Sequence, residues 1–178
     1  MKKKNLFFVL AAIAIFFAFG CQKVSGQQNG NWYFTRFPGG ALTIPACDGS
    51  ETLYEAGDVF SLVDPDLQNW GLNKPSQATA ETAVQGLELV EYASFYQIFG
   101  SRSSELDKLC LTQNQIKVFC SQHPDWFSLG DPFTIFLFKS EQYYFVVRVE
   151  VTCVGLWVVV YPLDFVNVWM GRIVVPKL

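Results

Sequence analysis

Between residues 133 and 175 the chain reads as a series of apolar strands, with a two-residue rhythm in 143–152 that no helix accommodates, and this block sets the fold class. Within 143–152, Phe145, Val147, Val149 and Val151 take one set of alternate positions, and Val146, Arg148, Glu150 and Thr152 take the other. A period of two puts the sets on opposite faces of a strand, one apolar and one mixed. Residues 133–138 precede it as a first strand, with 139–142 as the turn. Gly155 permits a tight turn into 156–161, an unbroken apolar run that suits a strand covered on both faces. Pro162-Leu163-Asp164 then turns the chain into a last strand within 166–175. Short connections favour antiparallel neighbours, so the expectation is a four-stranded antiparallel C-terminal meander. A bare sheet exposes too much apolar surface, which gives an α+β domain with at least two helices packed on the meander.

The clearest helix signal is Thr112-Gln113-Asn114-Gln115, which has the form of a capping box. Ile116, Phe119 and Cys120 follow on one face, and Pro124 ends the helix near Gln122 by disfavouring helical geometry at the residue before it. His123-Pro124-Asp125 reads as a turn into Trp126 and Phe127. In 79–99, Ala83, Val84, Leu87, Val90, Tyr92, Ala93, Phe95 and Tyr96 fall mostly three and four apart, which predicts an amphipathic helix weakened by Gly86. In 32–77, Pro38-Gly39-Gly40, Pro45, Asp64-Pro65-Asp66 and Lys74-Pro75 interrupt every apolar run, which predicts loops with short strands or turns.

The first twenty residues have another purpose. Lys2, Lys3 and Lys4 precede an uncharged apolar run at 6–19, the pattern of an export signal and shorter than the ~20 residues of a spanning helix. The run closes on Ala18-Phe19-Gly20-Cys21, which resembles the lipobox of bacterial lipoproteins, with a small residue before the cysteine that is acylated. It departs from the usual pattern at Ala18, where leucine is common, and at Phe19, a bulky residue where a small one is common. The resemblance implies removal of 1–20 and lipidation of Cys21, and two acyl chains suffice for stable anchoring. Ala18-x-Gly20 also suits an ordinary signal peptidase, which would leave a secreted chain, and an uncleaved anchor is the third reading. Gln22 follows the cysteine where aspartate would mark inner-membrane retention, so in a two-membrane cell the resemblance points to the outer membrane. Residues 21–31, rich in Gly, Gln and Asn, read as a flexible tether, and 32–178 as a single domain.

Of the chain's 13 basic residues three leave with the leader, and ten against 16 acidic ones set the mature net charge near −6. The remaining Lys and Arg are scattered singly, which excludes nucleic acid as a partner. The segments 109–116 (LCLTQNQI), 133–139 (FTIFLFK), 172–178 (RIVVPKL) and 56–66 (AGDVFSLVDPD) resemble recurring stretches of a family of small bacterial proteins without an assigned function. That resemblance implies one domain over most of 52–178 and carries no catalytic residues.

Four cysteines remain beside Cys21: Cys47, Cys110, Cys120 and Cys153. In an exported chain an even count suggests disulfides, and four allow three connectivities; the alternative is that they are small buried hydrophobes. Cys110, Cys120 and His123 could form a zinc site or a thiol nucleophile with its base, although the closely spaced cysteine pair of structural zinc sites is missing. Asp58, Asp64, Asp66 and Asn69 are oxygen-rich, but their spacing matches no calcium loop and reads more simply as turns. Gly39-Gly40 does not make a phosphate cradle. No catalytic residue, metal ligand or cofactor is assigned. Two aromatic groups could face a glycan or protein: Trp32, Tyr33, Phe34 and Phe37 near the tether, and Trp157, Tyr161 and Trp169 in the strand block. The expectation is a lipid-anchored cell-envelope protein, facing outside the cytoplasm and held to the membrane by its lipid, whose domain binds a protein, glycan or small ligand. The alternatives are an envelope hydrolase using carboxylates or a cysteine, and a structural spacer lipoprotein.

Overall fold

The computed structural model describes residues 34–36, 42–130 and 132–178. The leader, Cys21, the tether, Trp32, Tyr33, Phe37 and Gly39-Gly40 lie outside the described residues. In chain order the elements are β1 (Phe34–Arg36), β2 (Leu42–Ile44), β3 (Leu62–Val63), α1 (Asp66–Asn69), β4 (Thr82–Leu89), β5 (Ala93–Ser94) and α2 (Phe95–Phe99). Then come α3 (Leu106–Leu109), α4 (Gln113–Gln122), β6 (Thr134–Ser140), β7 (Tyr143–Thr152), β8 (Gly155–Pro162), β9 (Val168–Trp169) and β10 (Arg172–Pro176), which makes the domain mixed α+β.

The strand block becomes β6, β7 and β8, joined by two-residue turns at 141–142 and 153–154 into an antiparallel meander of three strands. The fourth strand departs from expectation. β10 lies on the far side of β6, parallel to it, and β3 takes the free edge of β8, also in parallel. The reason is burial: Ile173, Val174 and Val175 are all covered, so β10 belongs in the middle of the sheet rather than at its rim. The nine residues 163–171 cross over β7 and β6 to reach that place. The main sheet therefore runs β1-β4-β10-β6-β7-β8-β3, with β2 also paired to β4.

The helix predicted over 79–99 is a second correction. Thr82–Leu89 is strand β4, antiparallel to β10, and only Phe95–Phe99 is helical. Gly86 is the residue that the indole of Trp126 packs against: a Cβ there would overlap Cη2 and stand 3.1 Å from Cζ3. A glycine read as a weak point in a helix is a seat for a tryptophan on a strand. α2 starts from its own capping box, with Ser94 Oγ accepting from the Gln97 amide and Gln97 accepting from the Ser94 amide at 2.8 Å.

α4 forms as its capping box predicts, Thr112 Oγ1 accepting from the Gln115 amide and Gln115 Oε1 from the Thr112 amide. The three polar residues that follow Thr112 are buried and clamp the preceding loops. Gln113 accepts from the Leu53 amide and donates to Leu72 O, Asn114 accepts from the Gly49 amide and donates to Glu51, and Gln115 donates to Thr82 Oγ1. The apolar face of α4, with Ile116, Phe119 and Cys120, lies on the first face of the sheet against Phe136, Phe138, Val147, Val149 and Val174. The second face carries Ile135, Leu137, Val146, Ile173 and Val175 and is covered by α2 and α3 through Phe95, Ile98, Phe99, Leu106 and Leu109. Helices on both faces account for the absence of alternation in 134–138, where every residue is buried.

Candidate functional site

On β7 the mixed set points to the second sheet face, and that face is largely covered. Val146 is fully buried there, while Arg148 and Glu150, two residues apart on the same side, bring a charge pair onto it. The crossover 163–171 drapes over this part of the sheet. It is pinned by a two-stranded ribbon, β5 with β9, that sets Trp169 opposite Ala93.

The result is an arginine enclosed by rings. Its guanidinium carbon lies 5.0 Å from the centre of Trp169, 5.4 Å from Phe133, 5.6 Å from Tyr161 and 5.9 Å from Trp157. Its side chain is only 12% exposed, and Nη2 donates to Glu150 Oε1 at 3.3 Å. Behind it Trp169 stacks on Phe95 at 5.7 Å with the planes 6° apart, and Tyr161 meets Phe165 at 4.9 Å. Ring faces carry negative quadrupole density and replace part of the water a guanidinium loses on burial, by about 0.5–2 kcal/mol per favourable contact. They do not replace acceptors. Among the described residues, Arg148 Nε and Trp169 Nε1 are buried with no hydrogen-bond partner. The Tyr161 hydroxyl is pushed up, first by burial and then by the charges of Asp64 and Glu150, against the opposing pull of Arg148.

One side of this cluster is open. The register sets Glu150 opposite Trp157 and Trp157 opposite Leu62, so the three share the second face at the β3 edge. Leu62 is exposed, and Trp157 and Glu150 are half-buried. The sequence pattern had singled out Trp157, Tyr161 and Trp169, and the fold brings these three to one guanidinium. Arg148, Glu150, Phe133 and Phe165 were missed. The signal that could have found Arg148 and Glu150 is a charge pair spaced i, i+2 inside a strand otherwise made mostly of Val, Tyr and Phe.

The other sequence candidates are not assembled. Cys47, Cys110, Cys120 and Cys153 are all free thiols. Cys47 and Cys120 are buried in the cluster on the first face, Cys110 lies at the edge of the cluster on the second, and Cys153 is exposed at the β7–β8 turn. The sheet thus separates Cys110 from Cys120. Burial pushes the Cys110 thiol up to about 12 and raises that of Cys120 as well, the opposite of what a thiolate nucleophile or ligand requires. The His123 ring packs on Phe119 at 4.8 Å. Asp64 accepts from the amides of Asp66 and Val160, Asp66 accepts from Asn69, and Asp58 binds Lys117 at 3.1 Å, so the acidic stretch is spent on turns and an ion pair. Among the described residues no three His, Cys, Asp or Glu side chains converge as metal ligands. Comparison of the chain with protein-family models, curated proteins and solved structures finds no match.

Lys117 marks a structural charge site, its side chain 11% exposed and its ammonium bound by Glu51 and Asp58. Burial alone would lower its pKa, but the hydrogen bonds it donates to the two carboxylates outweigh this and raise it, while the hydrogen bond from Lys117 lowers that of Asp58. A lowered acid stabilises the fold above its unfolded value near 3.8 and loses that contribution as pH falls through its folded value. A raised lysine contributes fully below 10.5 and loses it as pH climbs through its folded value. The urea-stability difference between wild type and Lys117→Met should therefore stay constant from about pH 5 to 9 and shrink outside that window. A difference that grows below pH 4 contradicts the assignment.

Proposed function

We propose that this chain is an exported, lipid-anchored envelope protein whose domain binds a glycan or protein partner without transforming it. The observation that carries the binding half is the Arg148 cluster, where four half-buried rings, a charge pair and two unpartnered N–H donors meet beside an open shelf. Convergent aromatic and polar groups of this kind are the chemistry of recognition. Asp48, Asp58, Asp107 and Glu141 are all held below the ordinary range by hydrogen bonds from serine or lysine, whereas a general acid needs its pKa raised. The anchoring half rests on the charged leader, the short apolar run and Cys21. Among the described residues no helix is long and apolar enough to cross a membrane.

The test is mass spectrometry of the protein purified from a bacterial host's membranes, together with a thiol titration in denaturant. The expected product begins at Cys21 with a diacylglyceryl adduct and offers four titratable thiols, and Cys21→Ala releases it from the membrane. A cytosolic chain that keeps Met1 and carries no lipid overturns the anchoring.

A further inference from the structure

We infer that the shelf formed by Trp157, Glu150 and Arg148 is a binding site for an electrically neutral sugar ring. The assignment rests on the binding reading above and names its ligand. A pyranose has an apolar C–H face that stacks on an aromatic ring and a rim of hydroxyls that are both donors and acceptors. The shelf has both halves. Trp157 is half-buried beside exposed Leu62 and, among the described residues, enters none of the ring–ring contacts that fix Phe95, Tyr161, Phe165 and Trp169 to one another, so beside the Arg148 guanidinium at 5.9 Å no aromatic neighbour covers its ring. Directly across the strand pair is Glu150, which accepts hydroxyl donors, and next to it on the same face is Arg148.

Two features of Arg148 argue for a hydroxyl-bearing occupant. Among the described residues its fork donates to Glu150 at 3.3 Å while the buried Nε–H has no partner, so the protein leaves the guanidinium short of acceptors. Its guanidinium is held by rings at 5.0–5.9 Å, so the fork is already ordered and little side-chain entropy is lost on binding. Charge decides between neutral and acidic sugars. Arg148 and Glu150 cancel at 3.3 Å, so an incoming carboxylate would meet Glu150 together with the arginine it seeks. Vicinal hydroxyls fit the pair without that conflict.

The experiment titrates the full mature protein with neutral oligosaccharides, soluble β-glucan fragments and N-acetylglucosamine oligomers, and with oligogalacturonate as the acidic counterpart. Tryptophan fluorescence and calorimetry read the binding. At least one neutral probe should bind and quench, with no comparable response to oligogalacturonate. Trp157→Ala and Glu150→Gln should each weaken that binding at least tenfold, while Trp157→Phe keeps most of it. Circular dichroism checks that each variant is folded, and Glu150→Gln, which preserves side-chain size, keeps the test decisive if Trp157→Ala is not. The inference is overturned if no neutral probe binds, if only the acidic one does, or if folded Glu150→Gln binds like wild type. Capture of a protein partner with no sugar response would sink the sugar and leave the binding reading standing.

Discussion

Phe119→Ala is expected to cost about 3–5 kcal/mol of folding stability, the range for truncating a fully buried phenylalanine, and to lower the midpoint of thermal unfolding by roughly 10–15 °C. The ring has no solvent exposure and sits where three parts of the domain meet. It packs edge-on against Trp126 at 5.6 Å, Phe127 at 6.4 Å and Phe136 of β6 at 5.5 Å, and lies 4.8 Å from His123. α4 is the longest helix of the described residues, and its covered polar turn also fastens the loops around residues 49–53 and 72–82. Loosening α4 at Phe119 therefore loosens those loops. The cavity would be lined by rings that cannot collapse into it without leaving their edge-to-face geometry, which places the cost high in the range. Urea unfolding of the variant against Tyr143→Ala, an exposed aromatic expected to stay within about 0.5 kcal/mol of wild type, provides the measurement. A loss below about 1 kcal/mol at Phe119 would mean that α4 does not hold the first sheet face.

Local signals were legible wherever the local and tertiary preferences agree. The capping box at Thr112 and the proline after His123 fix α4 at both ends, and strict alternation fixes β7 to the residue. Short strands among loops before residue 77 are also what the proline and glycine spacing implied. Failures cluster where a contact distant in sequence decides. The three- and four-residue spacing of 79–99 was an accident of a strand followed by a short ribbon and one helical turn, and Ser94-x-x-Gln97, the same box as at Thr112, was the sign overlooked. The placement of β10 depended on which strand edge stayed open, and nothing in a nine-residue connection encodes that. The site was half legible: aromatic residues could be singled out by type, but their convergence on Arg148 depends on the crossover and on the β5–β9 register.

Gly86→Ala supplies the sharpest test of that long-range control, because two effects of opposite sign compete at one position. Gly86 does not lie in the left-handed region, so alanine can adopt its backbone conformation, and the lost freedom of the unfolded chain would by itself add about 0.4–1 kcal/mol of stability. Against this, the new methyl would overlap Trp126 Cη2 and come within 3.1–3.2 Å of two further ring carbons. The indole cannot easily swing away, since it is buried and its Nε1–H donates to Thr134 Oγ1 at 2.9 Å. Overpacking of this kind costs about 1–3 kcal/mol, so the net change is destabilising. Trp126→Phe alone is also expected to destabilise, because it gives up the bond to buried Thr134. Yet once Trp126→Phe has been made, the shorter ring no longer reaches the methyl, and adding Gly86→Ala should become neutral or stabilising. A coupling of at least about 1 kcal/mol in the double-mutant cycle is the expected result. Additive losses would mean that Gly86 is required for its backbone, and the strand would then owe its glycine to something other than the tryptophan seated on it.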